Sequence, residues 1–437
     1  MVYRFGTFEL DLARAELRAD GEPRSVEPQV FALLALLLEN RERLVSKDEI
    51  IEKVWDGRIV SDAAIADGLP HELISELSRL RWLFVTARGS SFRLRGSEAD
   101  MTEIGHLLGV RYCLSGVLEI TGRRLTAAVE LIDTRDGGVV WAEHFHGVID
   151  DVHQLREQMR WRILAALEIQ VPIHEAALAR LTVSENLDAW SAYHLGLQHM
   201  YRFNRKDNAA ATNLFQQAAA CDPGFARAHA GLSFVHFQAA FMHYTDDRAG
   251  EVAQARRFAT RGVELDPIDP FVNFAMGRTF WLEGDLESSL AWLERATSIS
   301  PNYAQGIYAR SWTEAIAGRG LEARKLVDLA MRLSPIDPLY YAMLGTRAFT
   351  HTMLGEDLEA ADWAERAARS PGAHVLIALI AVATNALADD HVRAASWAEN
   401  VRSRNPTLTR DDFFRAFPMK SQDTKRRVAL ALARFGF

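Results

Sequence analysis

Histidines, cysteines and basic side chains are the residues here whose types and spacing could do chemistry. His144 and His146 stand two apart in an alternating stretch, so both would point from the same side of a strand, with Glu143 adjacent. Same-side spacing alone is common and does not make a metal site. His229, His236 and His243 recur every seven residues on one helical face, where they line a helix more readily than they ligate an ion. The two cysteines, Cys113 and Cys221, lie far apart with no Cys or His at metal spacing, which indicates neither a disulfide framework nor a zinc site. There is no G-x-x-x-x-G-K-[ST], no G-x-S-x-G and no H-E-x-x-H. The chain is accordingly read as a non-enzyme, with no catalytic residue, no metal and no cofactor.

Basic residues offer a different chemistry, contact with phosphate. Arg41, Arg43, Lys47, Lys53 and Arg58 cluster within eighteen positions, and Ser61 and Asp62 follow them. The whole chain carries a formal charge of −8, so attraction to nucleic acid must come from such a local patch. Residues 1–67 contain nine basic and fourteen acidic side chains, so the cluster sits in an acidic setting. Its alternative reading is ordinary solvated charge at helix ends. Ser61 and Asp62 suit helix caps better than base readers.

The elements that would position these residues fall into several domains. The 437 residues are 49% apolar and 25% charged, values of a chain that folds into more than one core. The most apolar run, HVLIALIAVATNALA from His374 to Ala388, is too short to cross a bilayer, and the first residues lack a signal-peptide core. A reducing, cytoplasmic setting without membrane contact is expected.

Dipeptides ending in proline recur at Asp266-Pro267, Ser300-Pro301, Ser334-Pro335, Ser370-Pro371 and Asn405-Pro406, at steps of 34, 34, 36 and 35 residues. Asp222-Pro223 precedes them by 44, one period plus an insertion in HYTDDRAGE around Thr245. Proline lacks the N–H that would extend a helix and biases the residue before it away from the helical region, so each dipeptide should separate one helical hairpin from the next. Within the copy from Pro270 to Pro301, Gly277 lets two helices approach, Phe280 fills the space beside it, Gly284 turns the chain, and Leu293 and Ala296 pack the second helix. Five or six copies in this phase resemble the tetratricopeptide repeat. The resemblance implies a solenoid from Leu187 to about Asn405 whose concave groove binds a protein or peptide. The first helix of each pair would line it, which nominates Asn273, Arg278, Tyr308 and Arg310. A rigid spacer or a dimerisation surface is the alternative. The last helix, Asp423 to Phe437, is expected to cap the stack.

At the other end, YRFGTFEL alternates as a strand, RAELRAD and PRSVEP follow, and VFALLALLLENRERL reads as an apolar helix. Ser46 and Glu49 form an S-x-x-E capping box with Val45 and Ile50 as a hydrophobic staple, IIEKVW continues as an amphipathic helix, and IVSDAAI opens a third. From Tyr3 to Ile65 this order and wording resemble the OmpR/PhoB-type winged-helix domain. The resemblance implies DNA binding, with the helix at Ser61 in the major groove and a basic wing behind it. Past Ile65 the sequence departs into ADGLPHELISELSRL, where Gly68 and Pro70 are expected to interrupt that helix. One internal deletion near Ala66, removing the wing, accounts for the departure.

Residues 67 onward resemble a TolB-like module. RYCLSGVLEITGRRLTAAVELIDTRDGGVVWAEHFHG should form three strands with turns at Thr121-Gly122 and Asp136-Gly137.

The expected fold is therefore mainly α: a tetratricopeptide solenoid, an N-terminal winged-helix unit of sheet plus three helices, and a small α/β module. The expected division is 1–66 winged helix, incomplete; 67–165 TolB-like; 166–186 linker helix; 187–437 repeats. The implied function is a bacterial transcriptional regulator binding promoter DNA at one end and a protein or peptide at the other. Homo-oligomer formation stays open. The alternative is a scaffold that has lost DNA binding and keeps only protein partners.

Overall fold

The computed structural model describes residues 2–24, 26, 28–41, 43–46, 49, 53–54, 62–80, 83–94, 99–121, 123–148, 151–181 and 187–437. The chain opens with an antiparallel sheet, β1 (Val2–Phe5), β2 (Phe8–Asp11), β3 (Glu16–Ala19) and β4 (Glu22–Arg24), paired in sequence order. Tyr3 faces Leu10, Leu10 faces Leu17, and Leu17 faces Arg24. Helix α1 (Pro28–Glu39) follows the sheet, and its Leu36 is buried, as are Leu10 and Leu17. It ends where the Asn40 side-chain amide donates to the Leu36 carbonyl, satisfying one of the helix's free acceptors.

Helix α2 (Asp62–Leu77) runs unbroken through Gly68 and Pro70, contrary to the interruption expected from them. Magnitudes explain it. A glycine and a proline inside a helix cost about 4 kcal/mol together, whereas burying two leucine side chains returns roughly 3–6 kcal/mol. Leu73 and Leu77, with Leu80 just beyond, are buried in the core of the middle module. That core lies under a meander of β5 (Tyr112–Thr121), β6 (Arg124–Asp133) and β7 (Gly138–Val148), with Asp136-Gly137 in the second turn as the sequence suggested and Gly122 of the first outside the described residues. Leu125, Ala127, Val129 and Leu131 alternate inward along β6. Between α2 and β5 come the short α3 (Arg88–Ser91) and α4 (Met101–Leu108), the latter capped reciprocally by Asp100 and Glu103. Among the described residues no strand lies between Asp62 and Arg111, where a wing hairpin would stand.

Helix α5 (Val152–Ala179) spans 28 residues and joins two cores. Leu155, Met159, Ile163, Leu164, Leu167 and Val171 pack under the meander, while Ala179 belongs to the core of the repeats. Polar contacts fix it on three sides: Arg156 to Glu72 of α2, Arg162 to Glu143 of β7, and Glu175 to the Tyr112 hydroxyl at 2.6 Å and to Arg111 at 2.8 Å. The 66/67 and 165/166 positions both fall inside continuous helices.

Six antiparallel hairpins follow: α6–α7 (Ala189–Met200, Arg205–Cys221), α8–α9 (Ala226–Phe241, Arg248–Leu265), α10–α11 (Pro270–Glu283, Leu286–Ile299), α12–α13 (Ala304–Ile316, Gly320–Leu333), α14–α15 (Tyr340–Leu354, Asp357–Arg369) and α16–α17 (Val375–Leu387, His391–Arg404). The residues before the boundary prolines are extended, with φ from −130° at Ser300 to −150° at Asn405 in five of the six. A Cβ at Gly277 would meet Leu293 at 2.9 Å and the Ser289 carbonyl at 3.1 Å, so only glycine allows this approach of α10 to α11. Gly284 turns the chain at φ +74°. Trp281, 2% exposed, rather than Phe280, fills the interior; Phe280 lies half-buried under the Arg256 guanidinium. The insertion around Thr245 falls in the α8–α9 turn.

First helices are inner and second helices outer: twelve of fourteen residues of α10 are buried against five of fourteen in α11. The apolar run at His374 is the inner helix α16. The coil is tight enough that His374, at the start of the sixth hairpin, stacks on Phe203 of the first at 5.3 Å. Beyond Asn405 the chain turns back into this centre. After α18 (Arg410–Ala416), Phe417 stacks on Trp312 at 5.0 Å and meets Phe241 and Phe349. Trp281 donates to the Ala416 carbonyl at 2.9 Å, and the Lys420 amide donates to the Ile316 carbonyl at 3.0 Å. Helix α19 (Gln422–Ala433) covers the last hairpin with Val428, Ala431 and Leu432, and its Arg427 pairs with Asp357 at 2.6 Å.

Phe417→Ala should cost about 3–5 kcal/mol by opening this centre, whereas Leu430→Ala, at a position 60% exposed, should change stability by less than about 0.5 kcal/mol. Thermal and urea melts of the full chain check both.

Candidate nucleic-acid interface and repeat cavity

One half of the capping box is present, a bond from the Glu49 amide to Ser46 Oγ at 3.1 Å. The Glu49 carboxylate pairs with basic side chains. Arg43 reaches Glu49 Oε2 at 2.8 Å and Oε1 at 2.5 Å, and Lys53 approaches it at 3.2 Å. The hydrogen bonds from Arg43 and then Lys53 hold the Glu49 carboxyl down at about 2. Two of the nominated phosphate contacts are thus brought together on one carboxylate that offsets their charge. Arg41 lies past the end of α1 with its guanidinium 5.9 Å from the Tyr3 ring. Lys47, Arg58, Ser61 and the staple residue Ile50 lie outside the described residues; Asp62 is the first residue of α2.

The nominated groove residues do not share an open face. Asn273 is wholly buried, and its amide donates to the carbonyls of Pro267 and Asp269. Arg310 lies between α11 and α12, donating to Glu294 at 3.0 Å. Arg278 and Tyr308 meet in the centre of the coil, with Phe203, Phe241, Trp281, Trp312, Tyr341, His374 and Phe417 around a void of about 20 Å³. That is room for one water. The Arg278 guanidinium sits 4.3 Å from the Phe237 ring centroid and 4.9 Å from that of Trp281. Burial lowers its pKa to about 10. The expected groove is therefore closed at its middle by the chain's own aromatic residues and returning tail.

A larger opening exists at one end of the coil. There α5 crosses the N-terminal ends of the inner helices and leaves a cavity of about 360 Å³. Glu168, Ile169, Pro172 and Ile173 of α5 form one wall; Tyr193, Leu197 and Tyr201 of the first hairpin, Arg227, Phe271, Tyr303, Gln305 and Asp337 form the rest. Arg227 is tied to Asp269 at 2.6 Å. Asp337 accepts from the Leu339 amide at 2.8 Å and from the Ser334 hydroxyl at 3.0 Å. The Tyr201 hydroxyl donates to Gln305 at 3.0 Å, joining the first hairpin to the fourth. The Tyr303 hydroxyl is buried without a partner among the described residues. Glu168 has no hydrogen bond or ion pair there either, and burial raises its carboxyl to about 8 although Arg227 opposes the rise.

None of these cavity residues was nominated from the sequence, yet a signal was available. Asp269, Tyr303 and Asp337 each stand two residues after a boundary proline, one period apart, so the repeat phase places all three at one end of the coil. His144 and His146 are exposed on β7, His229 and His236 are half-buried on α8, and His243 stands past the end of that helix at φ +54°. His236 bonds Glu251 at 2.6 Å, His243 lies 3.7 Å from Asp412, and His229 stacks on Phe258. Among the described residues no group of three or more potential ligands could hold a metal ion, and no helix is long and apolar enough to cross a membrane.

Residues 21–69 match the family described as transcriptional regulatory protein, C terminal. A protein named putative adenylate cyclase 3 from Rhizobium meliloti is 26% identical over 230 residues, 53% of this chain and 38% of that protein. The transcriptional regulatory protein TrcR of Mycobacterium tuberculosis is 32% identical over 96 residues, 22% of this chain and 37% of that one. The chain thus spans less than two-fifths of the length of either relative. Among solved structures, pilF of Pseudomonas aeruginosa aligns with 52% of this chain and 94% of its own, at 16% identity and a TM-score of 0.36. One polypeptide thus carries a segment similar to the C-terminal part of transcriptional regulatory proteins at residues 21–69 and six helical hairpins behind it.

Proposed function

We propose that the protein is a transcriptional regulator that binds DNA through its N-terminal unit and a protein through its repeats, with no catalysis of its own. The observation that carries this reading is the regulator-family match over residues 21–69, on the apolar helix α1, the Ser46–Glu49 cap and the start of α2. Arg41, Arg43, Lys47, Lys53 and Arg58 serve as phosphate contacts, with Ser61 and Asp62 at the helix opening. The middle module acts as a TolB-like connector, and the divisions near residues 66, 165 and 186 mark functional units rather than breaks in helix. Because the centre of the coil is filled by its own residues, the partner surface lies on the outside. Leu321, Leu358 and Val392 hold the second position of three successive outer helices and are 65%, 74% and 83% exposed. They form an aliphatic row suited to a protein partner.

A scaffold without DNA binding is the second reading. It draws on the lack of any strand between Asp62 and Arg111 among the described residues and on the capture of the α2 leucines by the middle core.

One assay separates the two. Mobility shifts on genomic fragments at about 50 and 200 mM salt should show a complex whose log affinity falls with a slope of about −3 to −5 against log salt. Lys47→Ala should weaken binding equally at all sequences, and Glu49→Gln, which releases Arg43 and Lys53, should strengthen it several-fold. The absence of any salt-sensitive complex selects the scaffold. For the repeats, changing Leu321, Leu358 and Val392 together to Glu should abolish partner recovery in a crosslinking pull-down of the full chain without lowering its melting temperature. Unchanged recovery removes this row as the partner surface.

A further inference from the structure

We propose that the cavity beneath α5 is a binding site for a small organic cation, a primary amine carried on a compact apolar body. The inference stands independently of the DNA reading. At about 360 Å³ the space suits a small ligand. Its walls divide as a ligand of this kind requires: Ile169, Pro172, Ile173, Leu197, Phe271 and Pro338 are apolar, and the rings of Tyr193, Tyr201 and Tyr303 stand beside a carboxyl group. Aromatic faces and a carboxylate together attract an ammonium group.

The charges around the cavity select that class. Arg202, from the turn after α6, is held by Asp207 at 2.8 Å, and Arg227, from α8, by Asp269 at 2.6 Å. Both cations already have a carboxylate. Asp337, from the turn before α14, is held by its own backbone and Ser334. His194 is kept neutral by burial, its pKa lowered to about 3. Glu168, half-buried, remains as the one wall carboxyl with no protein partner among the described residues, and its partial burial disfavours the ionised form. An ammonium at hydrogen-bond distance from Glu168 offsets that penalty. A carboxylate ligand would meet Glu168 and Asp337 with no unpaired cation to receive it, and a neutral alcohol would leave Glu168 protonated.

The same assignment sets the pH dependence. Folding raises Glu168 from an ordinary carboxyl value to about 8. Its neutral form is therefore favoured below that value, and the ionised form the ligand needs appears only as pH rises through it. An alkylammonium stays charged across this range, as lysine does. Binding therefore releases one proton below about pH 8.

Phenethylamine, its neutral counterpart 2-phenylethanol and the anionic 3-phenylpropanoate are titrated calorimetrically into the full chain. The amine should bind at least about tenfold more tightly than either other probe at pH 8.5. Its affinity should fall about tenfold per unit as pH drops from 8 to 6, with one proton released in buffers of different ionisation enthalpy. Glu168→Gln should lower affinity at pH 8.5 about tenfold or more and remove the pH dependence. Tyr303→Phe, which keeps the ring, should retain it. Equal binding of the alcohol or the carboxylate, a flat pH profile of the unmodified chain, or no binding of the amine overturns the proposal. The unmodified profile decides the matter even if Glu168→Gln does not fold.

Discussion

A helix that is apolar on every face has to be buried on every face, and five such helices organise most of this molecule. Residues at all phases of α8, α10, α12, α14 and α16 are buried, from Phe237 and Phe241 through Trp281, Trp312 and Phe349 to Ile377. An open solenoid would leave one side of each in water. The coil instead winds tightly enough for the sixth hairpin to touch the first, and the returning tail sets Phe417 where the inner rings converge. Closure at the centre follows from this constraint: residues of the inner helices and the returning tail converge there around a void with room for about one water.

Helix α5 bounds that opening and ties the array to the rest of the chain. One stretch of it packs under the meander, and the neighbouring turns face the cavity with Glu168, Ile169, Pro172 and Ile173. The salt bridge from Arg156 to Glu72 carries the connection on to α2. Helix α2, the meander and the cavity therefore all meet α5.

Local signals in the sequence proved dependable where the governing physics is local. Proline lacks the N–H that would extend a helix and biases the residue before it toward extended backbone, so the hairpin boundaries were legible from Asp222-Pro223 to Asn405-Pro406. Strand alternation and the Asp136-Gly137 turn located the meander, and Gly284 stands at φ +74° where a turn was expected. Ser46 caps Glu49 as read. Gly68 and Pro70 misled because a helix propensity of a few kcal/mol is outweighed by the burial of Leu73 and Leu77 in a core whose strand and α5 residues lie some fifty or more residues away.

By itself the sequence determined the repeat period, which helix of each pair faces inward, and the small sheet followed by the apolar helix α1, since each rests on a residue's own backbone preference or on periodic apolarity. Only the tertiary structure decided that Arg278 and Tyr308 lie in a filled centre rather than an open groove, that Arg43 and Lys53 converge on Glu49, and that Glu168, Tyr193, Tyr201 and Tyr303 line one cavity. Those outcomes depend on the curvature accumulated over six hairpins and on where a tail and a crossing helix come to rest. Such long-range packing has no signature within any single repeat.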